Sequence, residues 1–323
     1  MPSPASLIQR SQATELEENL PSQTSPRVRR QEPSIALPAQ ITKAASKQAY
    51  YTIRLLADRD RRLDAYRAYA YFRWVDDWLD QPALAQFERV AFIRRQQWLV
   101  DGGYRGERPD DLIPQERLVV DLIQSDVEEQ SGLHSYIRNM MAVMAFDADR
   151  RWRRISEWEL ERYTLQLATG VTDALHFFIG HEQAPSDAHA RYFAAIGAHI
   201  AHMLRDTVED LALGYFNIPR EFLESRGIAP EDVESMAYRE WVKSRVSLAR
   251  GYFKSGVVYL DQVKSIRRRL AGYAYIARFV GLLDTLMREE YRLRPAYPEF
   301  KRVGRGLRMG GYIVANTLRR GHR

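Results

Sequence analysis

The chain has no cysteine among its 323 residues. That excludes a disulfide scaffold, a thiolate zinc site, an iron–sulfur cluster and a cysteine nucleophile. It lacks an apolar run of the ~18 residues a membrane span needs; the longest candidate, around Ile276 to Met287, is interrupted by Arg278 and Asp284. The N-terminal residues carry no apolar core of signal-peptide length, so we expect a protein made without an export signal. Clean apolar–polar alternation is scarce, so strand signals are weak. Neither an internal repeat nor a GxGxxG fingerprint is present. Charge of one sign is also lacking: 48 Lys+Arg stand against 42 Asp+Glu, a net +6. So small an excess, with no reading motif, argues against nucleic-acid binding.

What is present is enough to fold. Hydrophobic residues make up 45% and aromatics 11%, which excludes a wholly disordered chain. The first 42 residues read as a disordered tail. They hold six of the 14 prolines (Pro2, Pro4, Pro21, Pro26, Pro33 and Pro38) and no helical apolar period. Beyond them the pattern is helical to about residue 296. Helices are expected over 63–79, 86–100 (closed by Gly102 and Gly103), 118–130 and 136–149. A capping box, Ser156 with Glu159, opens another running to Gly180. Ser186 or Asp187 starts the next, and Pro219 and Pro230 mark first helical turns. Two long helices follow, over 231–268 (with a break expected near Gly251 or Gly256) and 270–293. The fold class is all-α, in one domain. After Pro298 the chain is basic, with no acid beyond Glu299, and Leu307, Met309, Ile313 and Leu318 are interleaved. That segment, 297–323, reads as an amphipathic surface for peripheral membrane contact, or as a solvated terminus.

Two acid clusters carry the chemistry: Arg73-Trp-Val-Asp76-Asp77-Trp-Leu-Asp80 and Arg205-Asp206-Thr-Val-Glu209-Asp210. Asp76 and Asp80 are four residues apart, as are Asp206 and Asp210. On a helix each pair projects from one face with Cβ atoms roughly 5–6 Å apart, a like-charge arrangement that destabilises a bare helix. A divalent cation relieves that repulsion. Mg²⁺ takes one or two carboxylates and completes its shell with waters and substrate phosphates. Two facing DxxxD helices could thus hold a small Mg²⁺ cluster and bind a diphosphate, with Arg73 and Arg205 on its oxygens. The competing reading is an ordinary solvated face of acids paired with nearby arginines. On spacing alone, Asp206→Asn should abolish turnover and leave the fold intact or more stable.

At these residues the sequence resembles the squalene/phytoene synthase family. Tyr69-Ala-Tyr-Phe-Arg73-Trp-Val-Asp76-Asp77-Trp-Leu-Asp80 is similar to that family's YAxCRxxDDxxD, and Met203-Leu-Arg205-Asp206-Thr-Val-Glu209-Asp210, with Ile218-Pro219 downstream, to its xLRDxxED and LP. Met144-Ala-Phe-Asp147 resembles its mid-chain MxxD, and Ala249-Arg250-Gly-Tyr252 its ARxYY. The resemblance spans about residues 43–295. It implies an isoprenoid (terpenoid) synthase helical bundle with a central cavity. The implied reaction is head-to-head condensation of two C15 or C20 allylic diphosphates, farnesyl or geranylgeranyl, by a cytoplasmic prenyltransferase of isoprenoid or carotenoid biosynthesis. Asp76, Asp80, Asp206 and Asp210 would ligate Mg²⁺ (Mn²⁺ as the alternative ion), with Asp77 and Glu209 secondary. Ser46, Arg73 and Arg205 would bind diphosphate, and Tyr69 would lie by the reacting carbons. A need for NADPH is not readable.

The family pattern has QxxN ahead of the second motif; here His199 and His202 stand there. Imidazole suits softer divalent metals than Mg²⁺. His202 would bind phosphate or ligate Mn²⁺ or Fe²⁺, or serve only as a core histidine. Basic residues after the second motif are replaced by Ala212, Leu213 and Tyr215, and a tyrosine on the last long helix by Phe279. Two other readings follow: a catalytically altered relative acting in assembly or lipid binding, and a class I cyclase-type enzyme.

Overall fold

The computed structural model describes residues 36–128, 130–180 and 189–298. Among them there is no strand, and eleven α-helices follow in order. They are α1 (Ala36–Ala45), α2 (Lys47–Leu56), α3 (Arg62–Leu79), α4 (Gln86–Tyr104), α5 (Pro114–Gln124), α6 (Gly132–Arg150), α7 (Glu157–Phe178), α8 (Phe193–Ala212), α9 (Arg220–Arg226), α10 (Met236–Gln262) and α11 (Ile266–Arg288). A short 3₁₀ turn, Ala190–Tyr192, leads into α8.

Serine starts many of these helices. Ser46, Ser131, Ser156, Ser235 and Ser265 each accept, through Oγ, the backbone N–H three residues on. That satisfies one of the donors a helix start leaves open. Ser156 forms the full capping box, with Glu159 bonded back to the Ser156 N–H at 2.8 Å. Gly227 ends α9 in the left-handed conformation, φ 62°, a C-terminal position that favours glycine.

Several boundaries differ from the sequence reading. Helix α1 begins at Ala36, inside the segment read as tail, with Pro38 in its first turn, where a missing N–H costs little. The rest of that tail lies outside the described residues, as do Ser186, Asp187 and the basic segment from 299. Helix α4 runs through Gly102 and Gly103 to Tyr104. Pro230 opens a turn, not a helix, and α10 starts only at Met236. Helix α10 does not break at Gly251 or Gly256. At Gly256 the reason is packing: an added Cβ would lie 3.0 Å from the Ala194 nitrogen, so the glycine lets α10 approach α8 closely.

Two apolar clusters fill the interior. One joins α3 through α7 around Tyr71, Leu79, Leu122, Leu133 and Ile137. The other joins α8 through α11 around Ile200, Ile218, Val242, Ile276 and Leu282. Helix α6 packs on α7, α7 on α8, and α8 on both α10 and α11. Helix α11 is long and apolar enough to cross a membrane by length and composition, but its Ile276, Leu282, Leu283 and Leu286 are fully buried in the second cluster. A cavity of about 870 Å³ lies between α3, α6, α7 and α8.

Candidate active site

Helix periodicity delivers the predicted residues to this cavity. On α3, Tyr69, Arg73, Asp76 and Asp80 line it; on α8, His202, Arg205, Asp206, Glu209 and Asp210 do so. The opposite faces of the two helices are buried: Tyr71 and Val75 on α3, and Ile200, Ala201 and Leu204 on α8. The two acid rows are thereby brought to one volume. Ser46 and Asp77 do not line it. Ser46 is spent as the cap of α2, its Oγ 3.1 Å from the Ala49 N–H. Asp77 is exposed and pairs with Arg73.

The acids repel one another in a partly desolvated space. Asp76 is pushed up to about 7, by burial first and then by Asp80, with Arg73 acting against the shift. Asp210 is likewise pushed up to about 7, by burial and by Asp206, against Arg150 and the Asn217 hydrogen bond. Asp80 is raised by burial and by Asp147. Two carboxyl groups from different helices are therefore held well above the usual carboxylate range for the same physical reason. Among the described residues no three His, Asp or Glu side chains converge tightly enough to enclose an ion unaided. The carboxylates could hold a cation only as partial ligands, one or two from each helix, with the remaining oxygens supplied by waters or by a phosphorylated ligand.

The two arginines occupy different positions. Arg73 reaches Asp76 at 3.4 Å and also Asp77. Arg205 grips its neighbour Asp206 with two bonds, Nε–Oδ1 at 2.6 Å and Nη2–Oδ2 at 2.7 Å. His202 Nε2 lies 3.3 Å from Asp206 Oδ2. Desolvation, followed by the Arg205 charge, holds its imidazole below the ordinary value, with Asp206 opposing. His199 is buried beside the Tyr163 ring, 5.2 Å between centroids. Burial lowers it to about 3, so it is neutral at physiological pH. Phe279 is buried and packs against His202 instead of presenting a polar group.

The structure adds residues that spacing did not assign. Asp147 sits between the acid rows, accepting from Arg150 Nε at 2.6 Å and from the Tyr163 hydroxyl at 3.0 Å. Arg150 continues to Asn217 Oδ1 at 2.8 Å, and Asn217 donates to Asp210 Oδ2 at 2.6 Å. One chain of bonds thus runs from α7 through α6 to the second acid motif. The MxxD segment was the available signal for Asp147; nothing local marks Asn217, which arrives through the turn after α8. That turn is built by Gly214 (φ 85°), whose carbonyl accepts the Trp152 N–H at 2.6 Å. Arg151 Nε bonds the Leu213 carbonyl at 2.6 Å. Arg278 on α11 also lines the cavity. The remaining wall is apolar: Phe72, Met140, Val143, Met144, Leu167 and Val171.

The cavity therefore has one acid- and arginine-rich end and one aliphatic and aromatic end, which suits a ligand with an anionic head and a hydrocarbon tail. Residues 42–303 match the squalene/phytoene synthase family. The chain belongs to that family. By this membership it is a transferase of prenyl groups. Over 279 residues it is 24% identical to the 15-cis-phytoene synthase of Synechocystis sp., covering 80% of this chain and 78% of that protein. Over 283 residues it is 24% identical to the chloroplastic phytoene synthase 1 of Zea mays, covering 83% of this chain but 64% of the maize protein's length. Among solved structures it is similar to the squalene synthase HpnC of Alicyclobacillus acidocaldarius (TM-score 0.64, 18% identity, 80% of this chain and 95% of the other). It is also similar to a dehydrosqualene synthase in complex with ligand (TM-score 0.68, 17% identity, 90% and 97%). At these identities the structural likenesses establish the isoprenoid synthase fold.

Proposed function

We propose that the protein condenses two allylic prenyl diphosphates of C15 or C20 length, farnesyl or geranylgeranyl, head-to-head to a squalene- or phytoene-type hydrocarbon. The observation that carries this reading is the convergence of both DxxxD rows on one cavity whose other wall is apolar. The volume, about 870 Å³, lies at the upper end of the roughly 300–1,000 Å³ typical of small-molecule sites.

Mg²⁺ fits the donor set. The carboxylates are hard oxygen donors, each helix offers a pair, and Asp76 and Asp210 carry repulsion that a cation relieves. Asp76, Asp80, Asp206 and Asp210 would hold it, with Glu209 at the edge. Bound there, it supplies charge neutralisation for a departing diphosphate. Arg73 and Arg205 can release their carboxylate partners to grip phosphate oxygens with charge-assisted bonds. The Asp147–Arg150–Asn217 chain holds Asp210 in place. Phe72, Met140, Met144 and Val171 exclude water from the carbon skeleton, which protects a carbocation from hydrolysis. Tyr69, between Arg73 and the apolar wall, presents its ring where positive charge would develop.

Measuring diphosphate release from farnesyl or geranylgeranyl diphosphate, with and without Mg²⁺, tests the metal and leaving-group part of this reading. Release that needs a divalent ion and is lost in Asp76→Asn supports it. Release independent of both contradicts it.

A further inference from the structure

A second pocket lies nearer the start of α3, between α1, α2 and α3, with a volume of about 380 Å³ and no lining residue in common with the acid-lined cavity. Lys43, Arg54 and Arg62 line it together with Tyr50 and Tyr66, and no acidic residue does. Three cations sharing one concavity repel each other unless an anion joins them. Neighbouring arginines on the same element are paired. Arg61 bonds Glu128 at 3.2 Å, and Arg67 bonds Asp64 at 2.9 Å. Among the described residues Lys43, Arg54 and Arg62 make no ion pair, and the Nε of Arg62 is buried without a hydrogen-bond partner. Arg54 Nη1 donates to the Tyr50 hydroxyl at 3.5 Å. The floor is rigid: the Tyr50 and Tyr66 rings stack 5.6 Å apart, and the Tyr66 hydroxyl donates to the Tyr50 carbonyl at 3.3 Å.

The surface of α2 next to this pocket is apolar and basic at once. Helix α2 has no buried residue. It exposes Tyr51 (49%) and Leu55 (70%), one turn apart, beside Lys47 and Arg54. Ile266 (63% exposed) stands next to them at the start of α11, where Arg267 Nη1 donates to the Leu56 carbonyl at 3.1 Å. From Pro33 to Ala57 the sequence has no Asp or Glu, and Lys264 and Arg269 add positive charge around Ile266. Exposed large apolar side chains set among cations on one face are the composition of an interfacial surface.

We propose that the Lys43–Arg54–Arg62 pocket takes the phosphate of an anionic lipid headgroup, with Tyr51, Leu55 and Ile266 entering the interface, and so seats this end of the molecule on an anionic membrane. Charge complementarity selects that occupant: three cations with no acid among them for an anionic headgroup phosphate, and exposed apolar side chains on the same helix that a soluble anion would not use. This docking surface shares no lining residue with the acid-lined cavity, and it does not depend on which prenyl substrate is used.

The absence of cysteine makes the test direct. Leu55→Cys in the full chain is labelled with a polarity-sensitive fluorophore. Met236→Cys is the control: it is 69% exposed, at the other end of the 27-residue α10 from α11, roughly 40 Å away along the helix. Vesicles of phosphatidylcholine, with or without about a third phosphatidylglycerol, are added. The label at 55 should shift to shorter wavelength with the anionic vesicles only, and the label at 236 should not. Lys43→Gln with Arg54→Gln, both at exposed positions, should weaken vesicle binding about 25-fold, at roughly fivefold per basic residue. Equal shifts at 55 and 236, or unchanged binding by the double variant, would overturn the proposal. So would pocket-dependent binding of soluble pyrophosphate without any vesicle binding, since a free anion would then be the occupant.

Discussion

Asn217 donates from Nδ2 to Asp210 Oδ2 at 2.6 Å while its Oδ1 accepts from Arg150 at 2.8 Å. One amide thus ties the last acid of the second motif to Arg150, a buried guanidinium in the cavity wall. Arg150 itself is held by Asp147. Removing the amide frees Asp210 to rotate and leaves Arg150 short of a partner. Asn217→Ala should lower kcat about 10- to 100-fold, the usual scale for losing a group that orients a metal-binding carboxylate. Asn217 acts through Asp210, so the metal concentration needed for half activity should rise as well. A loss of kcat with unchanged metal dependence would show that it does not act that way.

Burial and like charge raise Asp210 and Asp76 to about 7, and this has a pH signature. Between the ordinary carboxylate value near 4 and about 7 the folded chain keeps protons that the unfolded chain has released. These two groups therefore subtract stability as pH rises through that window, and the penalty is constant above it. An Asp76→Asn, Asp210→Asn double variant lacks the penalty. Its melting temperature relative to the parent should be least favourable near pH 4 and most favourable near pH 8. The buried histidines titrate in both proteins and cancel in the comparison. A difference that does not change with pH would contradict the assignment.

The same logic revises what Asp206→Asn does. Spacing alone suggests relief of repulsion, but Arg205 holds Asp206 with two bonds of 2.6 and 2.7 Å. Losing that pair offsets the relief. The stabilising gain belongs to Asp210, whose burial is not offset by a bidentate arginine.

Gly214 has φ 85°, and a Cβ there would lie 2.5 Å from the Trp152 indole. Gly214→Ala meets both backbone strain and a clash. It should cost about 1–3 kcal/mol of stability. It should also lower activity more than a surface change of equal cost, because the displaced turn carries Tyr215 and Asn217. Thermal melts and turnover on the same preparation test this; a variant with parent-like stability would refute the strain argument.

His202 faces Asp206 and stays neutral, so its imidazole is free to act as a nitrogen donor beside the carboxylates. His202→Asn replaces a nitrogen donor with a hard oxygen donor. The ratio of Mn²⁺- to Mg²⁺-supported activity should fall severalfold. A ratio unaffected by the change would make His202 a packing residue against Phe279.

The helical class and both acid rows were legible because they rest on local spacing: residues four apart share a helix face whatever the tertiary structure. Arg73 and Asp76 follow from the same rule. Asn217 and Arg278 were not legible, since each reaches the cavity through a turn or a distant helix that only packing places. For Ser46 the structure shows a helix cap and no place in the cavity lining. A serine before a helix reads equally as a cap or as a ligand, and the Ala49 N–H claims its oxygen. The start of α1 was missed because proline content suggested a tail, although Pro38 sits in the one turn of a helix that tolerates it.

The central claim is that one cavity joins two prenyl diphosphates. The most direct measurement incubates the full chain with farnesyl or geranylgeranyl diphosphate and Mg²⁺, with and without NADPH, and identifies extracted products by mass spectrometry. The account predicts a C30 or C40 hydrocarbon, lost in Asp76→Asn and Asp210→Asn. Diphosphate release with only C15 or C20 products, or no turnover by folded protein with Mg²⁺ or Mn²⁺, would contradict it.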